Sequence, residues 1–158
     1  MKHKVTRYNI FEYLDILQTL ETRNEKIEFM RRYQTKEIIW FFKVMFEENN
    51  LTTTKVPEYT PCIYDPGCTY KSVISDLRLL EGMFNGRFDV NEEKYRRKLL
   101  LVLENVPAGD AKYLEVLIKR KTIKGITRRL VGAAFPQYFP DIVKTPGPKA
   151  KKSVETLK

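Results

Sequence analysis

Ile10-Phe11-Glu12-Tyr13-Leu14-Asp15-Ile16-Leu17-Gln18-Thr19-Leu20 sets the pattern for the chain. Ile10, Phe11, Leu14, Leu17 and Leu20 recur at the spacing that places them on one buried stripe of a helix. Asn9 stands where a cap is expected. The same period returns downstream. Thr22-Arg23-Asn24-Glu25 opens a second helix carrying Ile27, Phe29 and Met30, and Thr22 and Glu25 have capping-box spacing. Thr35 precedes a strongly apolar run, Ile38 to Phe46 with Trp40, read as a buried helix ending near Asn49-Asn50. Helical signals resume at Ser75-Asp76, with Leu77, Leu79, Leu80, Met83 and Phe84. Asn91-Glu92-Glu93 starts a helix with Tyr95, Leu99, Leu100, Val102 and Leu103. After the turn at Pro107-Ala108-Gly109, Asp110 is expected to cap a helix with Tyr113, Leu114, Leu117 and Ile118. Thr127 caps a short last helix through Ala134, stopped by Phe135-Pro136 and Phe139-Pro140. The expected fold class is all-α, a compact multi-helix bundle.

Two stretches break the period. From Leu51 to Tyr70, prolines 57, 61 and 66 and Gly67 lie among Thr and Tyr residues, which predicts a long irregular connection wrapped over the surface with some aromatics packed. Lys144 to Lys158, with Pro146, Pro148 and several lysines, reads as a basic tail or linker behind a helical domain of residues 1–143. A faint internal echo is also present. Phe11 to Leu17 leads to Asn24-Glu25-Lys26, and Ile74 to Leu80 leads to Asn91-Glu92-Glu93-Lys94. Two pseudo-repeated helical halves fit this echo, as does chance similarity between amphipathic helices.

The length, 158 residues, suits one domain with its own core. No apolar run approaches the ~18–20 residues that cross a membrane, and the basic start Met1-Lys2-His3-Lys4 leads into a segment carrying Glu12 and Asp15, unlike a secretory signal. A soluble, cytoplasmic protein without membrane partners is the expectation. Cys62 and Cys68, with the single His3 far away, fall short of the four ligands of a structural zinc site and read as reduced thiols. The net charge of +9 is unevenly spread. Residues 1–93 hold 13 Lys/Arg against 15 Asp/Glu, and residues 94–158 hold 16 against 5. Such asymmetry points to an acidic polymer or a membrane surface.

The densest charge lies in Leu117-Ile118-Lys119-Arg120-Lys121-Thr122-Ile123-Lys124-Gly125-Ile126-Thr127-Arg128-Arg129-Leu130, with six basic residues and no acid. A glycine turn before a helix start lets backbone N–H groups approach phosphate oxygens. Thr127 can add a hydroxyl, and Arg120, Lys121, Lys124, Arg128 and Arg129 countercharge. A solvated basic face around a structural turn fits the same residues. Two further polar helix entrances, Asn91 with Lys94 and Thr22, Arg23, Asn24 with Lys26, are weaker candidates whose alternative is structural capping. The sequence shows no Walker loop, dinucleotide fingerprint or His-based triad, most carboxylates fall on predicted exposed faces, and Trp40 reads as core. No cofactor and no catalysis are expected.

The order Lys119-Arg120, Gly125, Thr127, Leu130, Phe135-Pro136 resembles the close of the N-terminal DNA-binding domain in tailed-phage ATP-dependent DNA ligases. Ser75-Asp76-Leu77, the Asn91 helix start, and Gly109-Asp110 leading to Tyr113-Leu114-Glu115-Val116-Leu117 are similar to that domain in order, and residues 10–46 more loosely, so the likeness covers most of 10–143. The resemblance implies an all-α domain gripping duplex DNA, nicked or intact, by its sugar-phosphate backbone along the minor groove. Thr22–Asn24, Asn91–Lys94 and Gly125–Arg129 would then be contact points. A Lys-x-Asp-Gly nucleophile motif is missing, since no Asp-Gly pair occurs, and the chain ends where that family's nucleotidyltransferase domain is expected to begin. ATP, magnesium and nick sealing are therefore not carried over. The expected function is a non-catalytic duplex-DNA binder. The alternatives are a module binding a replication or transcription protein through the 51–70 loop, and the accessory half of a split ligase.

Overall fold

The computed structural model describes residues 7–63 and 72–140; His3, Asp65, Cys68 and the 144–158 tail lie outside them. Among the described residues seven α-helices follow in chain order: α1 Ile10–Thr19, α2 Arg23–Arg32, α3 Lys36–Phe46, α4 Leu77–Phe84, α5 Glu93–Asn105, α6 Ala108–Ile118 and α7 Arg128–Ala134. A 3-10 turn, Val73–Asp76, leads into α4. The described residues hold no strand, only isolated bridges between Cys62 and Pro107 and between Ile123 and Ile126.

Local chemistry sets most helix starts. Thr22, Thr35 and Thr127 each turn a hydroxyl oxygen onto the free N–H three residues on, at Glu25, Ile38 and Leu130. At α1 the Glu12 carboxylate accepts the Asn9 N–H at 3.0 Å. Three boundaries depart from expectation. The third helix stops at Phe46, three residues short of Asn49, whose side chain instead donates to Leu117 O at 2.8 Å. Glu92, not Asn91, is the cap residue of α5. Asp110 does not cap its own helix: α6 starts at Ala108 behind Pro107, a residue suited to a helix entrance because it lacks an N–H. Asp110 lies in the first turn of α6, buried, where its carboxylate accepts Phe11 N–H of α1 at 2.8 Å.

The apolar stripes meet in one core. α1 packs on α2 and α6, α2 on α7, α5 on α6, and α3 on α4, α6 and the 3-10 turn. Tyr13, Phe41, Phe42, Phe84, Phe135 and Phe139 are its largest fully buried side chains. Trp40 is core as expected, edge-on to Phe84. The Tyr13 hydroxyl donates to Met30 O at 3.1 Å, and burial pushes its ionisation far up. The close fit of α1 on α6 depends on Gly109, where a Cβ would stand 2.3 Å from Phe11 Cγ.

The two stretches of the internal echo differ in their connections: α1 and α2 are joined by residues 20–22, whereas residues 85–92 separate α4 from α5. Of the 51–70 connection, residues 51–63 are described, and they lie over α5 and α6. Val56 and Tyr59 pack on the core. The Tyr59 hydroxyl donates to Glu115 at 2.5 Å, and Thr60 N–H reaches Glu104. Cys62 is a half-buried free thiol.

Candidate nucleic-acid interface

The basic segment after α6 folds into two turns. The first is a helix stop in which Arg120 N–H bonds Leu117 O and Lys121 N–H bonds Val116 O, a Schellman pattern. That pattern places the residue after the cap in the left-handed region, usually as glycine, yet Arg120 stands there at φ 55. Its side chain explains the choice. The guanidinium donates to Leu51 O at 2.5 Å and to Thr53 O at 3.4 Å, tying the start of the long connection to the end of α6.

The second turn is Ile123-Lys124-Gly125-Ile126, closed by Ile126 N–H on Ile123 O at 3.1 Å. Gly125 has φ 84, the left-handed third position of a type II turn. Buried Ile123 and Ile126 anchor its base, leaving Lys124 and Gly125 exposed at the tip. Thr127 follows and caps α7, so its oxygen is taken as an acceptor and its proton is what it can offer a ligand.

The α2 entrance meets this turn. Lys26 donates to Gly125 O at 3.1 Å across 99 residues of sequence. Behind it Arg31 closes the far end of α7, donating to Ala134 O at 2.9 Å and Ala133 O at 2.8 Å. Thr22, Arg23 and Asn24 are exposed at the start of α2, as are Lys121, Lys124 and Arg129 around the turn. The Arg128 guanidinium is ion-paired with Glu47 at the end of α3.

The third group joins through the long connection. Asn91 donates to Thr52 O at 3.1 Å, between the two carbonyls held by Arg120, and Val90 N–H bonds the Thr52 hydroxyl. The Asn91 backbone N–H bonds Asp89, which holds that carboxyl below its ordinary range. Lys94 lies exposed on the first turn of α5.

Five sequence candidates therefore have structural duties: Arg120 and Asn91 hold residues 51–53, Thr22 caps α2, Thr127 caps α7 and Arg128 pairs with Glu47. Lys26 is shared between the turn and solvent. Arg23, Asn24, Lys94, Lys121, Lys124 and Arg129 offer exposed polar or cationic groups. Sequence reading missed Arg31, whose partners are carbonyls more than 100 residues away. It also missed the buried carboxyls of Glu37 and Asp110. Arg7 grips Glu37 with bonds of 2.9 and 2.8 Å. An acid inside the apolar start of α3 is the signal that could have found it. Among the described residues no Cys, His, Asp and Glu side chains gather as a metal-ligand cluster, and no helix is long and apolar enough to cross a membrane. No protein family, no curated protein and no solved structure matches the chain.

Proposed function

We propose that this chain is a non-catalytic duplex-DNA-binding module that grips the sugar-phosphate backbone through the α2 entrance and the Gly125 turn. The observation that carries the reading is the Lys26–Gly125 hydrogen bond, which joins the polar α2 entrance to the cationic segment 119–129 in one surface. Arg23, Lys121, Lys124 and Arg129 are exposed around it. Residues 119–129 are a run of cations without carboxylates, a surface that binds a polyanion by releasing its counterions, independently of sequence; the α2 entrance adds Arg23 and Lys26 but also the exposed Glu21 and Glu25. Exposed backbone at a glycine turn lets a phosphate approach closely. The fold positions the cations, and the chemistry asked of them is binding alone.

The test is fluorescence anisotropy of intact and nicked duplexes titrated at several salt concentrations. Binding is expected to weaken steeply with salt. The double variant Arg128→Ala, Arg129→Ala is expected to weaken binding to every sequence alike, and to reduce the salt slope by about 1 for each phosphate it no longer neutralises. Unchanged affinity in a folded double variant removes this surface as the site.

A protein-interaction role has one observation in its favour. Ile63 is 88% exposed, and Leu101 on α5, one turn before the Glu104 that holds Thr60, is 57% exposed. Capture of a replication or transcription protein that survives nuclease treatment and is lost in Leu101→Glu would favour that role over DNA.

A further inference from the structure

The turn between α4 and α5 lays the Phe88 ring against the Tyr95 ring of α5, with centroids 4.7 Å apart and planes 7° from parallel. The backbone of α4 makes room for this pair. A Cβ at Gly82 would stand 2.3 Å from Phe88 Cε2, so glycine is what lets the ring lie there. Three cations attend the stack. The Arg87 guanidinium carbon is 4.9 Å from the Phe88 centroid, and the Lys94 and Lys98 ammonium groups are 5.3 and 5.5 Å from that of Tyr95. Phe88 covers one face of Tyr95, so the two ammonium groups stand over the other. Both rings are half-buried, and the three cations are exposed.

Of the neighbouring acids, two are engaged, and the exposed Glu92 carboxylate makes no cap bond at the start of α5. Asp89 accepts Asn91 N–H, and Glu93 pairs with Arg97. An exposed lysine holds an aromatic face only weakly in water and can swing aside. What remains is a preformed planar face ringed by positive charge. It connects to the glycine turn, because Asn91 and Arg120 hold successive carbonyls of residues 51–53.

We propose that the face of Tyr95 opposite Phe88 stacks an unpaired nucleobase of a DNA strand as the two lysines swing aside, while Arg87, Lys94 and Lys98 take the flanking phosphates. The inference rests on the DNA reading above and gives its substrate a further feature, a single-stranded overhang or gap beside the duplex. A strand alternates flat bases with phosphates at the spacing of one nucleotide, which suits a ring flanked by flexible cations. Base–aromatic stacking tolerates any base, so no sequence preference is required.

The test compares the full-length chain on a blunt duplex and on the same duplex extended by a short 3′ overhang containing 2-aminopurine. The overhang is expected to tighten binding on the order of tenfold, with quenching of the 2-aminopurine fluorescence as it stacks. Tyr95→Leu is expected to bring the ratio of the two affinities close to one and remove the quenching, and Tyr95→Phe to keep both. Equal affinity of the wild-type chain for the two DNAs, or an unchanged ratio in Tyr95→Leu, overturns the proposal. Where Tyr95→Leu fails to fold by circular dichroism, the double variant Lys94→Gln, Lys98→Gln takes its place, and an unchanged ratio there is equally fatal. Binding of the overhang with quenching but no binding of the blunt duplex overturns the duplex reading and leaves this site standing. Salt-sensitive binding of both DNAs without quenching does the reverse, and binding of neither overturns both.

Discussion

The carboxyl of Asp110 is 1% exposed and accepts the Phe11 N–H at the start of α1. Burial raises its pKa from 3.8 to about 7, against the lowering effect of the Phe11 bond, and the negative charges of Glu12 and Glu37 push the same way as burial. The folded state therefore holds this proton more tightly than the unfolded chain. Its stabilising contribution is fully present below about pH 4 and is lost as pH rises through about 7. Asp110→Asn keeps an acceptor for Phe11 and cannot ionise. Compared by thermal melting, the wild-type protein is expected to lose stability relative to this variant between pH 5 and 8, by an amount on the order of a few kcal/mol. A constant difference over that range would mean that the carboxyl titrates like one in water. Elsewhere at this scale, burial and the hydrogen bond to Asp15 push the Tyr113 hydroxyl up to about 12, so it remains a donor at neutral pH.

At the scale of elements, α7 is seven residues long, too short to stand alone as a helix in water. It persists because Thr127 caps its start, Arg31 of α2 caps its end, and Leu130, Val131 and Ala134 are buried. Arg31→Met preserves the aliphatic stem and removes both bonds to the last carbonyls. The expected cost is about 1.5–3 kcal/mol, with faster amide hydrogen exchange across residues 130–135. Exchange unchanged there would show that packing alone holds α7. The three threonine caps were readable because each acts on its own next turn. The capping role expected of Asp110 was misplaced for the opposite reason. Pro107 already supplies a helix entrance, which frees Asp110 to serve a different helix, and that use depends on α1 and α6 being neighbours.

At the scale of the whole molecule, residues 51–53 join distant parts of the chain, held by Arg120 from the end of α6 and by Asn91 from the turn before α5. Arg120→Ala removes the tether and leaves a side chain at a left-handed backbone position; Arg120→Gly removes the tether and relieves that strain. Both variants are expected to speed proteolysis between residues 51 and 63. The alanine variant is expected to be less stable than the glycine variant by about 1 kcal/mol in denaturant melts. Equal cleavage in wild type and variants would show that the Tyr59 and Thr60 hydrogen bonds suffice to hold the segment. The all-α class, the seven helical segments and the irregular 51–63 stretch were legible in the sequence, because helix period, capping and proline breaks act within a few residues. So was the cationic character of residues 119–129, a property of composition. The sequence could not assign the partners of those charges. It did not tell that Arg120 and Asn91 are spent on backbone carbonyls, that Arg128 faces Glu47, or that Lys26 meets Gly125. Nor did it tell that Phe88 and Tyr95 stack beneath three cations. Each of these pairs is set by which helices pack together, and that is decided by how the apolar stripes fill a common core, a property of the tertiary structure that no local window contains.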